Sequence, residues 1–271
     1  MSLDADAIVY DLEDAVAVEK KEEARANLSS FLQKLYDTRT TEQPIPYITV
    51  RVNCPITTSY GRDDMVAINR LSNLEVIKAV VLPKVSSAVT LGEVITTFTK
   101  PLPIWAMIET SQGVINVEEI SQCGSVDAVV LGINDLTKDI KARFTNQSRI
   151  PLYYSMSKCI VAARAASKAV IDGVYMNIND SEGFKADCIL GKSFGFDGKS
   201  LIHPNQILLA NSIFSPSLEE VEYARRVVAA YEKAREEGKS LAVLDNKLIE
   251  HLHVIEAIAT IRSFNESHRV V

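Results

Sequence analysis

Residues 128–140 read AVVLGINDLTKDI: a run of small and branched apolar side chains that gives way to polar ones, with Asp135 and Asp139 just beyond the run. A short, near-continuous apolar run of this kind predicts a strand covered on both faces, the pattern of a parallel sheet. Six further runs repeat it: AIVYDL (7–12), PYITVRV (46–52), KAVVLPK (78–84), PIWAMIE (103–109), IDGVYMNI (171–178) and GKSLIHP (198–204). The intervals are too long for hairpins. Between the runs lie helix-like stretches at 18–36, 88–98 and 151–167, the last carrying Met156, Ile160 and Ala163 at helical spacing. Strand and helix therefore alternate, which predicts βαβ units in an eight-stranded parallel barrel or a doubly wound open sheet. Seven strands leave the barrel one short.

The pattern changes after Pro216. Ser217 and Glu220 form an S-x-x-E capping box, Val221, Ala224, Val228 and Tyr231 make an apolar stripe, and Gly238 ends the predicted helix. A polar link and a second predicted helix follow, DNKLIEHLHVIEAIATIRSF (245–264), whose apolar residues cover more of its circumference than a surface helix needs. The division expected is a (β/α) unit over 1–215, barrel or open sheet, and a helical extension over 216–271 that packs on another surface, a second subunit being one choice.

Composition narrows the function classes. The 271 residues are 47% hydrophobic and 24% charged, as in a soluble globular enzyme, with a net charge of −6 and no dense Lys/Arg run. Phosphate neutralisation needs a basic face, so no nucleic-acid partner is expected. No apolar run approaches a membrane span, and the N-terminal residues have neither a signal peptide's apolar core nor a transit peptide's basic face. The four cysteines are scattered, which suggests a reducing compartment and neither zinc nor a disulfide framework. Gly198-Lys199-Ser200 imitates the end of a phosphate-binding loop, but Ser193 stands where its first glycine is required and Ile202-His203-Pro204 does not read as a helix start. There is no G-x-G-x-x-G dinucleotide fingerprint.

In parallel α/β folds the chemistry gathers beyond the carboxyl ends of the strands. Standing there are Asp11, Glu13 and Asp14; Arg51 and Asn53; Lys84; Glu109; Asn134 and Asp135; Asn177, Asn179 and Asp180; and His203. Each has an ordinary explanation. Asp and Asn favour helix caps, and Asp139 and Asp180 are read as such. Lys84 fits a solvated loop, His203 a hydrogen-bonded structural role, and His251 and His253 do not share a helix face. The pair Glu109 and Asp135 argues for more: neighbouring parallel strands lie about 4.8 Å apart, so two carboxylates at one height reach a single hard cation. Magnesium fits, because it takes one or two protein carboxylates and leaves its other positions to water and an oxygen-rich substrate.

With these residues in place, the sequence resembles the citrate lyase beta-subunit-like family of acyl-CoA carbon-carbon lyases, from about Asp6 to the end. The matching motifs, in order, are AIVYDLEDAV, RVN (51–53), VLPKV (81–85), IETSQGVIN (108–116), GINDLTKDI, DGVYMNINDSEG and GFDGKSLIHPNQI (195–207). The resemblance implies a TIM (β/α)8-type barrel of the phosphoenolpyruvate/pyruvate group, here lacking its first strand with the usual CoA-phosphate contacts, and a C-terminal helical extension reaching a neighbour in a homotrimer. It implies Glu109 and Asp135 as Mg²⁺ ligands, Arg51 as the arginine that binds substrate and stabilises developing charge, and Asp245 as an acid/base given to the neighbour's site. Glu13 and Asp14 match the acidic pair below the metal, and Asn53 and Lys84 stand with Arg51 as substrate-binding candidates.

The activity so implied is cleavage of a citryl-, malyl- or citramalyl-CoA-type thioester to acetyl-CoA and a 2-oxo acid, in the cytoplasm, or in the mitochondrial matrix if the N-terminus is incomplete. Two alternatives stand beside it. One is a metal-dependent aldolase of free hydroxy-oxo acids; the other is an inactive scaffold subunit without the CoA-phosphate site.

Overall fold

The computed structural model describes residues 3–38, 47–144 and 148–267. They form two compact units, Met1–Ile207 and Leu208–Val271. The first holds seven strands: β1 (Ala7–Asp11), β2 (Tyr47–Arg51), β3 (Ile77–Leu82), β4 (Ile104–Ile108), β5 (Val126–Leu131), β6 (Ala169–Asp172) and β7 (Gly198–Lys199). All pair in parallel, in chain order from β1 to β7. The fold is thus a sheet of TIM-barrel type with seven strands, and β1 and β7 are its edges.

Burial follows the side-chain pattern. β3 and β5 are buried at every position but their second, whereas edge strand β1 has no fully buried residue. Val and Ile suit the interior strands because a branched side chain packs on a pleated surface covered from both sides. Two runs differ in extent from the reading of 171–178 and 198–204. The sixth strand is AVID (169–172), and residues 173–180 form a loop; the seventh pairs over two residues only. Pro46, the first residue of the second run, lies outside the described residues.

The helices of this unit are α1 (Lys21–Thr38), α2 (Ser59–Leu71), α3 (Ala88–Ile95), α4 (Ser111–Ile115), α5 (Val117–Gln122), α6 (Ile133–Asp139), α7 (Tyr153–Ala165) and α8 (Ser181–Phe194); α9 (Ile207–Phe214) belongs, but for its first residue, to the second unit. Their starts have side-chain causes. Ser87, Thr110 and Asp180 accept hydrogen bonds from the backbone N–H groups of Thr90, Gly113 and Gly183. Asp139 accepts from the N–H and hydroxyl of Ser111, so it caps α4 from the far end of α6. His203 Nδ1 accepts from the N–H of Asn205 and opens a 3-10 turn that runs into α9. A helix does begin at Pro204, contrary to the reading of that segment, because proline is tolerated in a first turn where its missing N–H has no partner to lose.

The second unit contains α10 (Leu218–Glu236), the hairpin β8 (Ala242–Leu244) and β9 (Lys247–Ile249), and α11 (His251–Ser267). The capping box at Ser217 and Glu220 is formed, and Gly238 follows α10 with φ +73°. The stretch 245–250 is not helical, although its pattern predicts a helix from 245. Asp245 and Asn246 both adopt left-handed backbone and make a two-residue hairpin turn, a geometry that Asp and Asn tolerate because of their short polar side chains. Ala224, Val227, Ala242, Ile249, Val254 and Ala257 form this unit's core. Leu248, Leu252, Ile255 and Ile258 are exposed.

Candidate active site

Asp11 and Arg51 are cross-strand partners at the ends of β1 and β2. Arg51 Nε and Nη2 donate to Asp11 Oδ1 and Oδ2 at 2.8 and 2.5 Å, and Nη1 lies 2.9 Å from Glu13 Oε2. Asp14 is farther off, at 4.0 Å, and mostly exposed. The flanking acids hold the guanidinium's pKa above its ordinary value despite burial, so Arg51 is a permanent charge. Asp11 is partly buried, which favours its neutral form, but the bond and charge of Arg51 outweigh that and hold its carboxyl below the ordinary value.

Glu13 bridges to the next cation. Its Oε1 accepts from Lys84 Nζ at 2.7 Å, and Lys84 Nζ lies 3.5 Å from Asp135 Oδ2. Lys84 also donates its backbone N–H to Glu109 Oε1 at 2.8 Å, from a left-handed conformation with φ +54°. Glu109, at the end of β4, is 3% exposed, and its carboxyl is pushed up to about 7, first by burial and then by the charge of Glu13. Asp135 stands in the first turn of α6, after adjacent strand β5. The structure thus brings together Arg51, Glu13, Lys84, Glu109 and Asp135, with Asp14 at the margin.

Asn53 is buried beside them and otherwise engaged: its side-chain amide donates to the Leu12 carbonyl and to Asp64 Oδ2. Asp245 belongs to the second unit, where it sits at the hairpin tip and pairs with Arg226 of α10.

Two contributors escaped the sequence reading. Asp11 looked like one acid among several, and only the parallel pairing of β1 with β2 sets it against Arg51. Lys21 falls within the helix-like stretch 18–36 and is not among the candidates. It is buried, and its ammonium donates to the carbonyls of Leu12, Glu13 and Val16, which pins the loop carrying Glu13 and Asp14. The signal within the sequence was weak: the position falls nine residues after Leu12, at the start of a helix that packs against the sheet.

The residues fit magnesium on their own chemistry. Five carboxylates, of Asp11, Glu13, Asp14, Glu109 and Asp135, face two cationic side chains, which leaves an excess of negative charge. Glu13 Oε2 is buried and lies 2.9 Å from Arg51 Nη1 without a hydrogen bond, and the cluster's side-chain groups able to ligate a cation are carboxylate oxygens. Among the described residues no set of three or more His, Cys, Asp and Glu side chains forms a ready-made cage. Glu109 and Asp135 are oxygen ligands of the kind magnesium takes one or two at a time, and without His or Cys beside them they do not suit zinc.

A TIM-barrel-type sheet with its charged groups gathered beyond the strand ends places this chain among barrels that work at that face. The chain belongs to the HpcH/HpaI aldolase/citrate lyase family, whose model matches residues 1–204. It is 40% identical over 259 residues, 96% of this chain and 86% of the relative, to the (3S)-malyl-CoA thioesterase of Cereibacter sphaeroides. It is 32% identical over 278 residues, 98% of this chain and 88% of the relative, to the citrate lyase subunit beta of Leuconostoc mesenteroides subsp. cremoris. Among solved structures it is similar to CitE from Mycobacterium tuberculosis in complex with magnesium, acetoacetate and coenzyme A, with a TM-score of 0.75, 26% identity, and coverage of 97% of this chain and 91% of that one. These relatives bear the names of enzymes acting on acyl-CoA or citrate. Among the described residues no helix is long and apolar enough to cross a membrane.

Proposed function

We propose that this chain is a Mg²⁺-dependent carbon-carbon lyase that cleaves a 3-hydroxy-acyl-CoA of the citryl-, malyl- or citramalyl-CoA type into acetyl-CoA and a 2-oxo acid. The observation that carries the reading is the convergence of Glu109 and Asp135 from adjacent strand ends next to Arg51. In this reading Glu109 and Asp135 hold the cation, which when bound supplies Lewis-acid polarisation of the substrate oxygen that becomes the ketone.

The remaining roles belong to the chain. The hydroxyl proton goes to solvent, its O–H electron pair forms the ketone C=O as the Cα–Cβ bond breaks, and the electron pair of that bond moves into the thioester as an enolate. Arg51 is fixed by Asp11, and its hydrogen bonds to that residue use two of five N–H donors, so others remain for the enolate oxygen. A preorganised donor of this kind is typically worth about 3 kcal/mol. Asp245, from a neighbouring copy, protonates the enolate carbon to give acetyl-CoA. The exposed Leu252, Ile255 and Ile258 of α11 support a self-associating chain, which this role of Asp245 requires.

The 40% identity to relatives named as (3S)-malyl-CoA thioesterases favours a second reading, hydrolysis of the thioester of the same substrate class. One assay separates the readings. Purified protein with Mg²⁺ and each of the three thioesters is expected to release acetyl-CoA and a 2-oxo acid, with release abolished by EDTA and by Glu109→Gln. Free CoA with the intact hydroxy acid establishes the thioesterase instead. Cleavage of free hydroxy-oxo acids establishes an aldolase, and no turnover of any substrate leaves a scaffold.

A further inference from the structure

Lys84 engages the carboxylate cluster with both its backbone and its side chain. Its N–H donates to Glu109 Oε1, while its Nζ donates to Glu13 Oε1 at 2.7 Å and lies 3.5 Å from Asp135 Oδ2. The two arms of the ammonium are unequal: the contact with Glu13 has hydrogen-bond geometry, and the contact with Asp135 is a longer ion pair. The side chain is 43% exposed, so its outward path is open to solvent. Its backbone, by contrast, sits in the left-handed region at φ +54°, which is unfavourable for a residue with a Cβ and is held there by the bond to Glu109. A fixed backbone with a free stem allows the charge to move and leaves the carboxylates in place. Lysine suits this because its charge is a compact point on four flexible carbons, whereas the planar guanidinium of arginine prefers one fixed geometry.

We propose that Lys84 is the exchangeable internal cation of this site: its ammonium neutralises Asp135 while no divalent cation is bound, and it leaves Asp135 when one is. The proposal rests on the reading of Glu109 and Asp135 as metal ligands. A dication and an ammonium sharing one carboxylate repel, and the long arm to Asp135 is the one that yields. The ammonium keeps its bond to Glu13 and its half-exposed outer face, which is then open to an anionic substrate, so cation binding and substrate capture become coupled through one side chain.

Two measurements on the full chain test this. Lys84 in the unmodified protein is acylated with acetic anhydride, with and without Mg²⁺, and the modified peptide is quantified by mass spectrometry. Acylation is expected to be at least threefold faster with Mg²⁺; an unchanged or slower rate overturns the proposal. Mn²⁺ binding is then followed by the electron paramagnetic resonance signal of the free ion. Lys84→Met is expected to bind Mn²⁺ about tenfold more tightly than the unmodified chain, and equal or weaker binding overturns the exchange alone. If the unmodified chain binds no Mn²⁺, or binds it no better than Glu109→Gln, the assignment of the metal ligands falls and the exchange falls with it.

Discussion

Asp11 and Arg51 lie opposite each other at the carboxyl ends of β1 and β2 and form a two-pronged ion pair, with N–O distances of 2.8 and 2.5 Å. A planar guanidinium held on two edges cannot swing, so its remaining donors point in a set direction. Asp11→Asn keeps the size and one acceptor but loses the charge and the second prong. Turnover of the cleaved thioester is expected to fall 10–100-fold, the usual effect of losing a group that orients a functional side chain. Mn²⁺ affinity is expected to stay within threefold of the unmodified chain, since Asp11 is not among the proposed ligands. Steady-state kinetics and metal titration check the two halves separately.

Gly132 follows β5 and lies so close to the residue after β4 that an added Cβ would overlap Glu109 Cβ and Oε2. Gly132→Ala is therefore expected to push Glu109 out of position and weaken Mn²⁺ binding at least tenfold. The overlap also falls in a packed interior, where forced crowding typically destabilises by about 1–3 kcal/mol. Calorimetric titration with Mn²⁺ and urea unfolding in EDTA measure the two effects.

Glu109 has a carboxyl pushed up to about 7, chiefly by burial. The unfolded chain gives up this proton near pH 4.5, whereas the folded chain keeps it until about 7. Across that window the unfolded state binds fewer protons, so folded stability falls as pH rises, by an amount on the order of 3 kcal/mol for a shift of this size. Glu109→Gln removes the ionisation and keeps the acceptor for the Lys84 N–H. In EDTA the variant is expected to melt at a higher temperature than the unmodified chain at pH 8, with the difference vanishing near pH 4.5. Added Mg²⁺ is expected to raise the melting temperature of the unmodified chain only.

A second ionic cluster lies away from the site. Arg149 and Lys199, both buried, pair with Asp172 and Asp187, joining the loop before α7 to β6, α8 and the short β7. Asp172 also accepts from the N–H of Gly173, where the strand ends. Asp172→Asn leaves two buried cations facing one carboxylate. Breaking a buried pair in this way typically costs about 3–5 kcal/mol, and urea unfolding at pH 7 is expected to show a loss of that order. The same cluster explains why Gly198-Lys199-Ser200 is no phosphate loop: the lysine is sealed inside the protein.

Much of this architecture was legible in the residues. The seven apolar runs predicted seven parallel strands because a strand buried on both faces has no room for alternation. Ser217 with Glu220, and Asp180 three residues before Gly183, announced helix starts because capping is a local hydrogen bond. The hairpin at Asp245 and Asn246 was not legible, since a helix-like apolar pattern masked two residues whose left-handed backbone only a turn would reveal.

The lysines divide what the sequence by itself determined from what only the tertiary structure decided. Local order set the strands, the caps and the acids that follow each strand, because periodicity and capping act over a few residues. Lys21, Lys84 and Lys199 carry the same side chain, yet one pins a loop through three carbonyls, one bridges the acidic cluster and one is sealed in a buried ion-pair group. Their fates depend on partners up to 71 residues away in sequence. A charged side chain takes its energy from whichever groups surround it, and those neighbours are assembled only when the sheet forms.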